Sequence, residues 1–523
     1  MNAGELLANT ARSYPEQVAW IWDDRIRTYG ETDARADAFA HELVGLGLRR
    51  GDRIAMLMEN RPEVMEAMFG AWKAAMVAAP LNARFTAAEI EFHVNDAGSR
   101  VLVVGEELAA TVAAMRDRLP TVEHVIQVNG EPLDGFAAWD EVMARGAASD
   151  RGPFEPVTVD DDELAWLAYT SGTTGKPKGA MLTHGVLVFE VLGMLADFFP
   201  LETGQVGIHA APLTHGSGHV GLVFVTKACA QVILSRHGFD VARFLELVER
   251  HRVNALFLVP TMIKMIVDHP DVATRDLSSL QWVFYGGSPM YVDDLRRAQK
   301  TLGNIFIQGF GQTESPMTGT VLPAAEHDPD GPLAHRLASC GRARAGISVR
   351  ILGDDDEPLP TGEIGEICIR GGTVMKGYWQ RPEETAETLR NGWLHTGDLG
   401  RMDDDGYVYI LDRSKDMVIS GGLNVYPREI EEVLLTHPSV SEACVFGAPD
   451  DKWGEALVAH LVLVGGSALT ADEVIAFMAE RVAGYKKPKR VVFVDELAKT
   501  PYGKVDKKAI RAPYWEGRDR LVG

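Results

Sequence analysis

Cysteine is scarce and scattered, with four in 523 residues at Cys229, Cys340, Cys368 and Cys444. None of them has CxxC or metal-ligand spacing, which excludes a disulfide-stapled scaffold and leaves reduced, semi-buried thiols of a cytoplasmic protein as the expectation. Positive charge is short as well. The 52 Lys and Arg face 74 Asp and Glu, and the net charge of −22 argues against nucleic acid or an anionic membrane as partner. Long hydrophobic runs are missing too: the most apolar, residues 220–234, is interrupted by Lys227 and is too short for a transmembrane span. The first dozen residues carry neither the basic n-region nor the apolar h-region of a signal peptide. His215 and His219 are four apart, but Gly216 and Gly218 around them argue against a rigid helical metal pair.

What is present is enough for more than one core. At this length two or more domains are expected, and 46% hydrophobic with 24% charged residues is a globular composition. The spacing predicts a hairpin over 18–29 about Asp23-Asp24, a helix from Thr32 to Leu46, and then alternating strands and helices. Strand-like Arg53–Met58 and Arg100–Val104 alternate with helix-like Pro62–Met76 and Thr86–Ala97. A similar rhythm returns from residue 206 to 285, so two α/β subdomains are expected. After Ser339 short apolar runs broken by Gly, Asp and Pro suggest a small antiparallel or β-barrel-like unit ending near Leu411. Asp412 to Asp416 is a charged break, and the residues beyond it read as a separate small α+β domain. The expected division is 1–412, a hinge at 413–416, and 417–523.

Five motifs carry chemistry. Thr170-Ser171-Gly172-Thr173-Thr174-Gly175-Lys176 follows an apolar strand. Its glycines let backbone N–H groups approach phosphate oxygens, its hydroxyls donate, and its lysine offsets charge. It is not a Walker A loop, because Gly172 and Gly175 are too close and Pro177 follows the lysine. Tyr285-Gly286-Gly287-Ser288-Pro289 ends a second strand where a flat ligand could lie on backbone. In Gly309-Phe310-Gly311-Gln312-Thr313-Glu314 an aromatic ring can stack on a base, and Thr313 and Glu314 offer oxygens to a phosphate-bound Mg²⁺. Asp398, after a tight turn, can accept ribose hydroxyls, with Arg413 as a complementary donor. Lys504 follows a glycine turn near the end.

The order and spacing of these motifs resemble those of the adenylate-forming superfamily, the acyl-CoA synthetases, adenylation domains and firefly luciferases, over nearly the whole chain. The resemblance implies two half-reactions: a carboxylate attacks the α-phosphate of ATP to give acyl-AMP and pyrophosphate, and a thiol, usually of coenzyme A, then displaces AMP. It implies that Thr170, Ser171, Thr173, Thr174 and Lys176 cradle the β- and γ-phosphates, with Gly172, Gly175, Gly287, Ser288, Pro289, Gly309, Gly311 and Gln312 around the nucleotide. Glu314 would hold Mg²⁺, with a weaker contribution from Thr170. Thr313 would meet the α-phosphate, Phe310 the adenine, Asp398 and Arg413 the ribose, and Lys504 the carboxylate and α-phosphate. Lys415 would be the hinge about which the small domain turns, bringing Gly421, Gly422 and Leu423 to a pantetheine tunnel. His215 would gate an acyl pocket walled by Gly216, Tyr285, Gly286, Gly309 and Pro316. Two residues depart from the common pattern: Phe310 stands where tyrosine is frequent, and Thr214 where an aromatic often precedes the histidine.

Within that superfamily coenzyme A is the expected acceptor, with carrier-protein loading and a silent nucleotide- or lipid-binding paralogue as alternatives. Joint retention of Lys504, Glu314 and Asp398 argues against the silent reading, since binding alone does not need the lysine. No charge is evident in the segments expected to wall the pocket, which favours a hydrophobic acid: medium- to long-chain fatty, aryl or polycyclic. A homodimer is common among such enzymes.

Overall fold

In the computed structural model, residues 1–148, 152–170, 177–234, 239–288, 290–420, 423–450, 453–500 and 504–516 are described, apart from the side chain of Thr318. The expected hairpin forms from Val18–Trp22 and Arg25–Thr28. Asp23 and Asp24 both take positive φ, 44° and 61°, as a tight two-residue turn between right-twisted strands demands. The next helix, Tyr29–Gly45, starts earlier than the pattern suggested. Thr28 caps it and Glu31 reaches back in a capping box, whereas Thr32 lies inside the first turn and donates its hydroxyl to Thr28 O at 2.7 Å.

Two large sheets follow. The first has seven strands, the second nine. Their membership does not follow chain halves: Val18–Trp22 runs parallel beside Ala230–Ile233, so the N-terminal hairpin closes one end of the later sheet. The helix Pro62–Lys73, buried at every residue, shares the main apolar cluster with His184–Asp197 and Gly216–Thr226. A helix buried along its whole length needs cover on all sides; Trp166 and Phe224 supply part of it, and its buried Glu66 and Lys73 are ion-paired with Arg27 and Arg35 and with Asp33 and Asp37.

The expected antiparallel unit is a four-strand meander of Ile347–Leu352, Gly365–Gly371, Leu394–Met402 and Val408–Arg413. After Asp416 a further sheet forms from Val418–Ser420, Leu423–Val425, Val440–Asp450, Gly454–Leu463 and Arg490–Phe493. Helices Pro427–Leu435 and Ala471–Ala479 pack on it through Ile430, Leu434, Val474 and Met478. This unit touches the rest through Tyr291, whose hydroxyl donates to Glu431 at 3.2 Å, and through Lys264, which donates to the carbonyl of Ser441. All four cysteines are buried and free of disulfides. Among the described residues no helix is long and apolar enough to cross a membrane.

Candidate active site

The site is built on strand ends that only glycine allows. Trp282–Gly286 and Phe306–Gln312 lie side by side with Gly286 opposite Gly309. A Cβ on Gly286 would come within 2.5 Å of Gly309 O, and one on Gly309 within 2.6 Å of the Phe284 ring. Gly287 then turns the chain at φ 80°. A Cβ there would stand 3.9 Å from Lys504 Cε and 4.0 Å from its Nζ. Lys504, carried by the small C-terminal unit, therefore reaches over the end of a strand of the large one.

A polar ring surrounds that ammonium. The turn after Phe306–Gln312 presents Thr313 and Glu314, and Tyr378 donates its hydroxyl to Glu314 Oε1 at 2.6 Å. Gln312 donates to Thr396 O at 3.0 Å and to Asp398 Oδ2 at 3.3 Å. Asp398 and Arg413 face each other across the meander, joined at 2.9 Å, with the carboxylate buried and the guanidinium about half exposed. Burial raises the Asp398 carboxyl above its ordinary range, opposed by Arg413 and Lys504. Asp398 in turn raises Arg413. Lys504 is pushed down to about 8 by the protein packed around the cleft and then by Arg413, while Asp398 and Glu314 pull the other way. Its side chain nevertheless stays solvent-accessible, so it projects into water inside the cleft rather than into a dry core.

A second feature stands beside it. His215 precedes the helix Gly216–Thr226, and burial, then Lys504 and His219, hold its imidazole down at about 3, neutral at working pH. The segment leading to it is clamped from outside: Asn60 donates to Ala211 O at 2.9 Å and accepts from Leu213 N at 2.8 Å. One turn into the helix, His219 donates from Nδ1 to Glu190 Oε2 at 2.8 Å and stacks on Trp166 with centroids 4.3 Å apart.

Of the sequence candidates, Lys504, Gly287, Gln312, Thr313, Glu314, Asp398 and Arg413 converge on this cleft, with His215 near Lys504. Thr170 ends the strand Leu164–Thr170 opposite Lys178. Ser171, Gly172, Thr173, Thr174, Gly175, Lys176, Pro289, Gly421 and Gly422 lie outside the described residues. Ser288 is half-buried after Gly287, and Gly311 fits only because a Cβ would meet Met317 N and Ser315 O at 2.8 Å. Gly216 faces Phe257 and Met317, and Pro316 is buried where the next strand begins. Leu423 is exposed, and Lys415 is lowered by burial, Lys178 and Arg413. Phe310 is 9% exposed, packed with Cys340, Ile347, Val349 and Ile369, which leaves little free ring for stacking.

Tyr285 is a correction. Side chains alternate along a strand, and it is Phe284 that turns toward Gly309 and the gate. Tyr285 points to the opposite face, fully buried with its hydroxyl between Gln308 and His327, so only its backbone is available to an acyl pocket. Three residues were missed. Tyr378, Asn60 and Glu190 sit in helices or loops remote from the motifs, and Glu190 pairs with His219 one turn after His215.

The chain is similar over nearly its whole length to known proteins. The family model described as AMP-binding enzyme matches residues 7–379, and that described as AMP-binding enzyme C-terminal domain matches 429–504. A feruloyl-CoA synthase of Amycolatopsis is 39% identical over 96% of this chain and 96% of its own. A medium/long-chain-fatty-acid–CoA ligase of Mycobacterium tuberculosis is 35% identical over 99% of this chain and 91% of its own. The crystal structure of ATP-bound MatB from Rhodopseudomonas palustris superposes with a TM-score of 0.87 at 31% identity, covering 98% of this chain and 99% of that one.

Proposed function

Because this chain belongs to the AMP-binding enzymes and is an acid–thiol ligase using ATP and coenzyme A, we propose that it activates a hydrophobic carboxylic acid in the cleft below Lys504. The observation that carries the reading is the approach of Lys504 to Gly287, within reach of the Asp398–Arg413 pair. In the first half-reaction a carboxylate oxygen attacks the α-phosphorus, the α–β P–O bond breaks, and pyrophosphate leaves. Lys504 neutralises charge on both reacting anions, and Thr313 holds the α-phosphate; alignment and charge stabilisation do most of the work in such transfers. Asp398 accepts the ribose hydroxyls while Arg413 orients it, and Phe310 contributes the edge of its ring to the base. In the second half-reaction the thiol sulfur attacks the acyl carbon, the C–O bond to AMP breaks, and the thiol proton passes to solvent.

Glu314 suits Mg²⁺. It is a hard oxygen donor, held in one orientation by Tyr378, with the Thr170 hydroxyl as a weaker contributor. Such an ion would spread the negative charge of the phosphates. Residues 1–412 form the catalytic body in this reading, 413–416 the hinge centred on Lys415, and 417–523 the moving lid, with Leu423 at the thiol tunnel. The acid falls in the fatty, aryl or polycyclic class, consistent with the acyl groups in the names of the two relatives above. A cytoplasmic homodimer is the proposed working form.

ATP–pyrophosphate exchange over a panel of acids, followed by coenzyme A addition, tests this. Exchange and then thioester supports it. Exchange without thioester moves the acceptor to a carrier protein, and no exchange with any acid refutes the reading. Lys504→Ala is expected to abolish exchange and to spare thioester formation from supplied acyl-AMP; equal loss of both steps would remove Lys504 from its role.

A further inference from the structure

One polar cluster beside the gate has no part in that mechanism. Glu190, on the helix His184–Asp197, is 0% exposed, and His219 and Trp166 are 5% and 1% exposed. Glu190 Oε2 accepts from His219 Nδ1 at 2.8 Å, and the indole of Trp166 lies against the same imidazole with the planes 3° apart. Among the described residues two atoms of this cluster have no hydrogen-bond partner: Glu190 Oε1 and Trp166 Nε1. Leaving one buried polar atom unpaired costs roughly 1–3 kcal/mol, more when it carries charge. Arg344, also buried, lends its charge to Glu190, so what the two atoms on the residues flanking one imidazole lack is a hydrogen-bonding group, and a single partner lying between them could serve both. Oε1 can only accept and Nε1 can only donate, so that partner must both donate and accept.

The location matters as much as the chemistry. His215 stands at the start of the helix Gly216–Thr226, and His219 is one turn, about 5.4 Å, further along it. The two imidazoles are close enough for His219 to influence His215. Gly216, next to His215 at the start of the helix, is packed against Phe257 and Met317, so these two side chains stand between the gate and the cluster's helix turn. Flat aromatic walls favour a ring over a flexible tail. Met317, an unbranched side chain at φ 58°, is the neighbour of Gly216 best able to move aside.

We propose that Glu190, His219 and Trp166 form a subsite that reads a hydroxyl on the ring of an aryl carboxylic acid, and so set the preference of this enzyme among acids. The hydroxyl donates to Glu190 Oε1 and accepts from Trp166 Nε1; His219 fixes the carboxylate. This rests on the acid–CoA ligase reading. A site built to pair a hydroxyl rejects the analogue that lacks it far more strongly than an apolar wall rejects an extra group.

The test is the ratio of kcat/KM for 4-hydroxycinnamic over cinnamic acid in pyrophosphate exchange, with calorimetric binding of the same pair to the full chain. The expected ratio is at least about tenfold in the native protein, falling below about threefold in Glu190→Gln and in Trp166→Phe. The second variant keeps an aromatic ring beside His219 while removing the N–H together with part of the indole, and cinnamic acid, which needs no N–H, controls for the lost volume, so it decides the matter should Glu190→Gln fail to fold. Equal kcat/KM and equal Kd for the two acids, or a ratio untouched in the variants, overturns the subsite. Discrimination in binding with no exchange for either acid upholds the subsite and overturns the ligase chemistry. If a water pairs the two atoms instead, the native protein binds both acids alike, which also overturns it.

Discussion

Lys504 titrates within the working range of an enzyme, and that makes the first half-reaction pH-dependent in a way that can be measured. An ordinary lysine loses its proton near 10.5, whereas this one is held at about 8 by the surrounding protein and by Arg413. With a pKa near 8 about nine-tenths of the side chains are ammonium at pH 7 and about one-tenth at pH 9. Since in the proposed mechanism the ammonium is the form that bridges the two anions, kcat/KM for pyrophosphate exchange should fall along a single limb centred near pH 8, about tenfold per unit beyond it. The limb in kcat should lie higher, because bound carboxylate and phosphate stabilise the charge. His215 cannot be its source, being neutral at any pH above about 3. Stability has its own sign. A base depressed in the folded state binds its proton less tightly than in the unfolded chain, so the penalty is present below about 8 and disappears as pH rises toward 10.5. Lys504→Ala should therefore leave the melting temperature at pH 7 unchanged or slightly raised. A limb near pH 10 would show that cleft water solvates the ammonium fully and refute the reasoning, as would a limb at 8 that survives in the residual activity of Lys504→Ala.

Three smaller perturbations follow from the same geometry. Tyr378→Phe removes the 2.6 Å donor to Glu314; bonds to charged groups are worth about 1.5–3 kcal/mol, so exchange should need roughly tenfold or more additional Mg²⁺, read from a metal titration. Asn60→Ala frees both Ala211 and Leu213 in the segment before the gate and should raise KM for the acid several-fold while leaving KM for ATP in place, checked by varying each substrate in turn. Gly218→Ala would set a methyl 2.1 Å from the carbonyl of Leu213, an overpacking that costs about 1–3 kcal/mol or more and should lower the melting temperature measurably.

The parts of this molecule that a sequence makes visible are those where one residue type is compulsory. Gly286, Gly287 and Gly309 are written into the chain because neighbouring backbone leaves no room for Cβ, and the apolar strands between them are equally plain. The direction of a side chain at a strand end is less plain: Tyr285 and Phe284 are adjacent aromatics, and only the sheet's orientation decides which faces the acyl region. Sheet membership of the N-terminal hairpin depends on a parallel pairing about 210 residues away, which no local pattern reports. Tyr378, Asn60 and Glu190 were hidden for a similar reason. Each acts through a partner distant in sequence, 64, 151 and 29 residues off, and none belongs to a motif with its own spacing.

The acidity of the whole chain and the basicity of this cleft are two sides of one arrangement. Against a net charge of −22, this cleft gathers Lys178, Arg413, Lys415 and Lys504: Arg413 lowers Lys504, and Lys178 and Arg413 lower Lys415. Like charges held together by the fold are unfavourable until an anion arrives, and triphosphate supplies several negative charges at once. Two of these cations, Arg413 and Lys415, stand at the junction of the two units, and Lys504 crosses it. On the proposed reading, bound nucleotide would ease the holding of Lys504 over Gly287 and so couple ATP binding to the placement of the small unit. Once pyrophosphate has left, much of that negative charge is gone and the mutual repulsion of Arg413 and Lys504 returns. In the proposed mechanism the same electrostatics that seat the lysine for the first half-reaction would favour its withdrawal before the second.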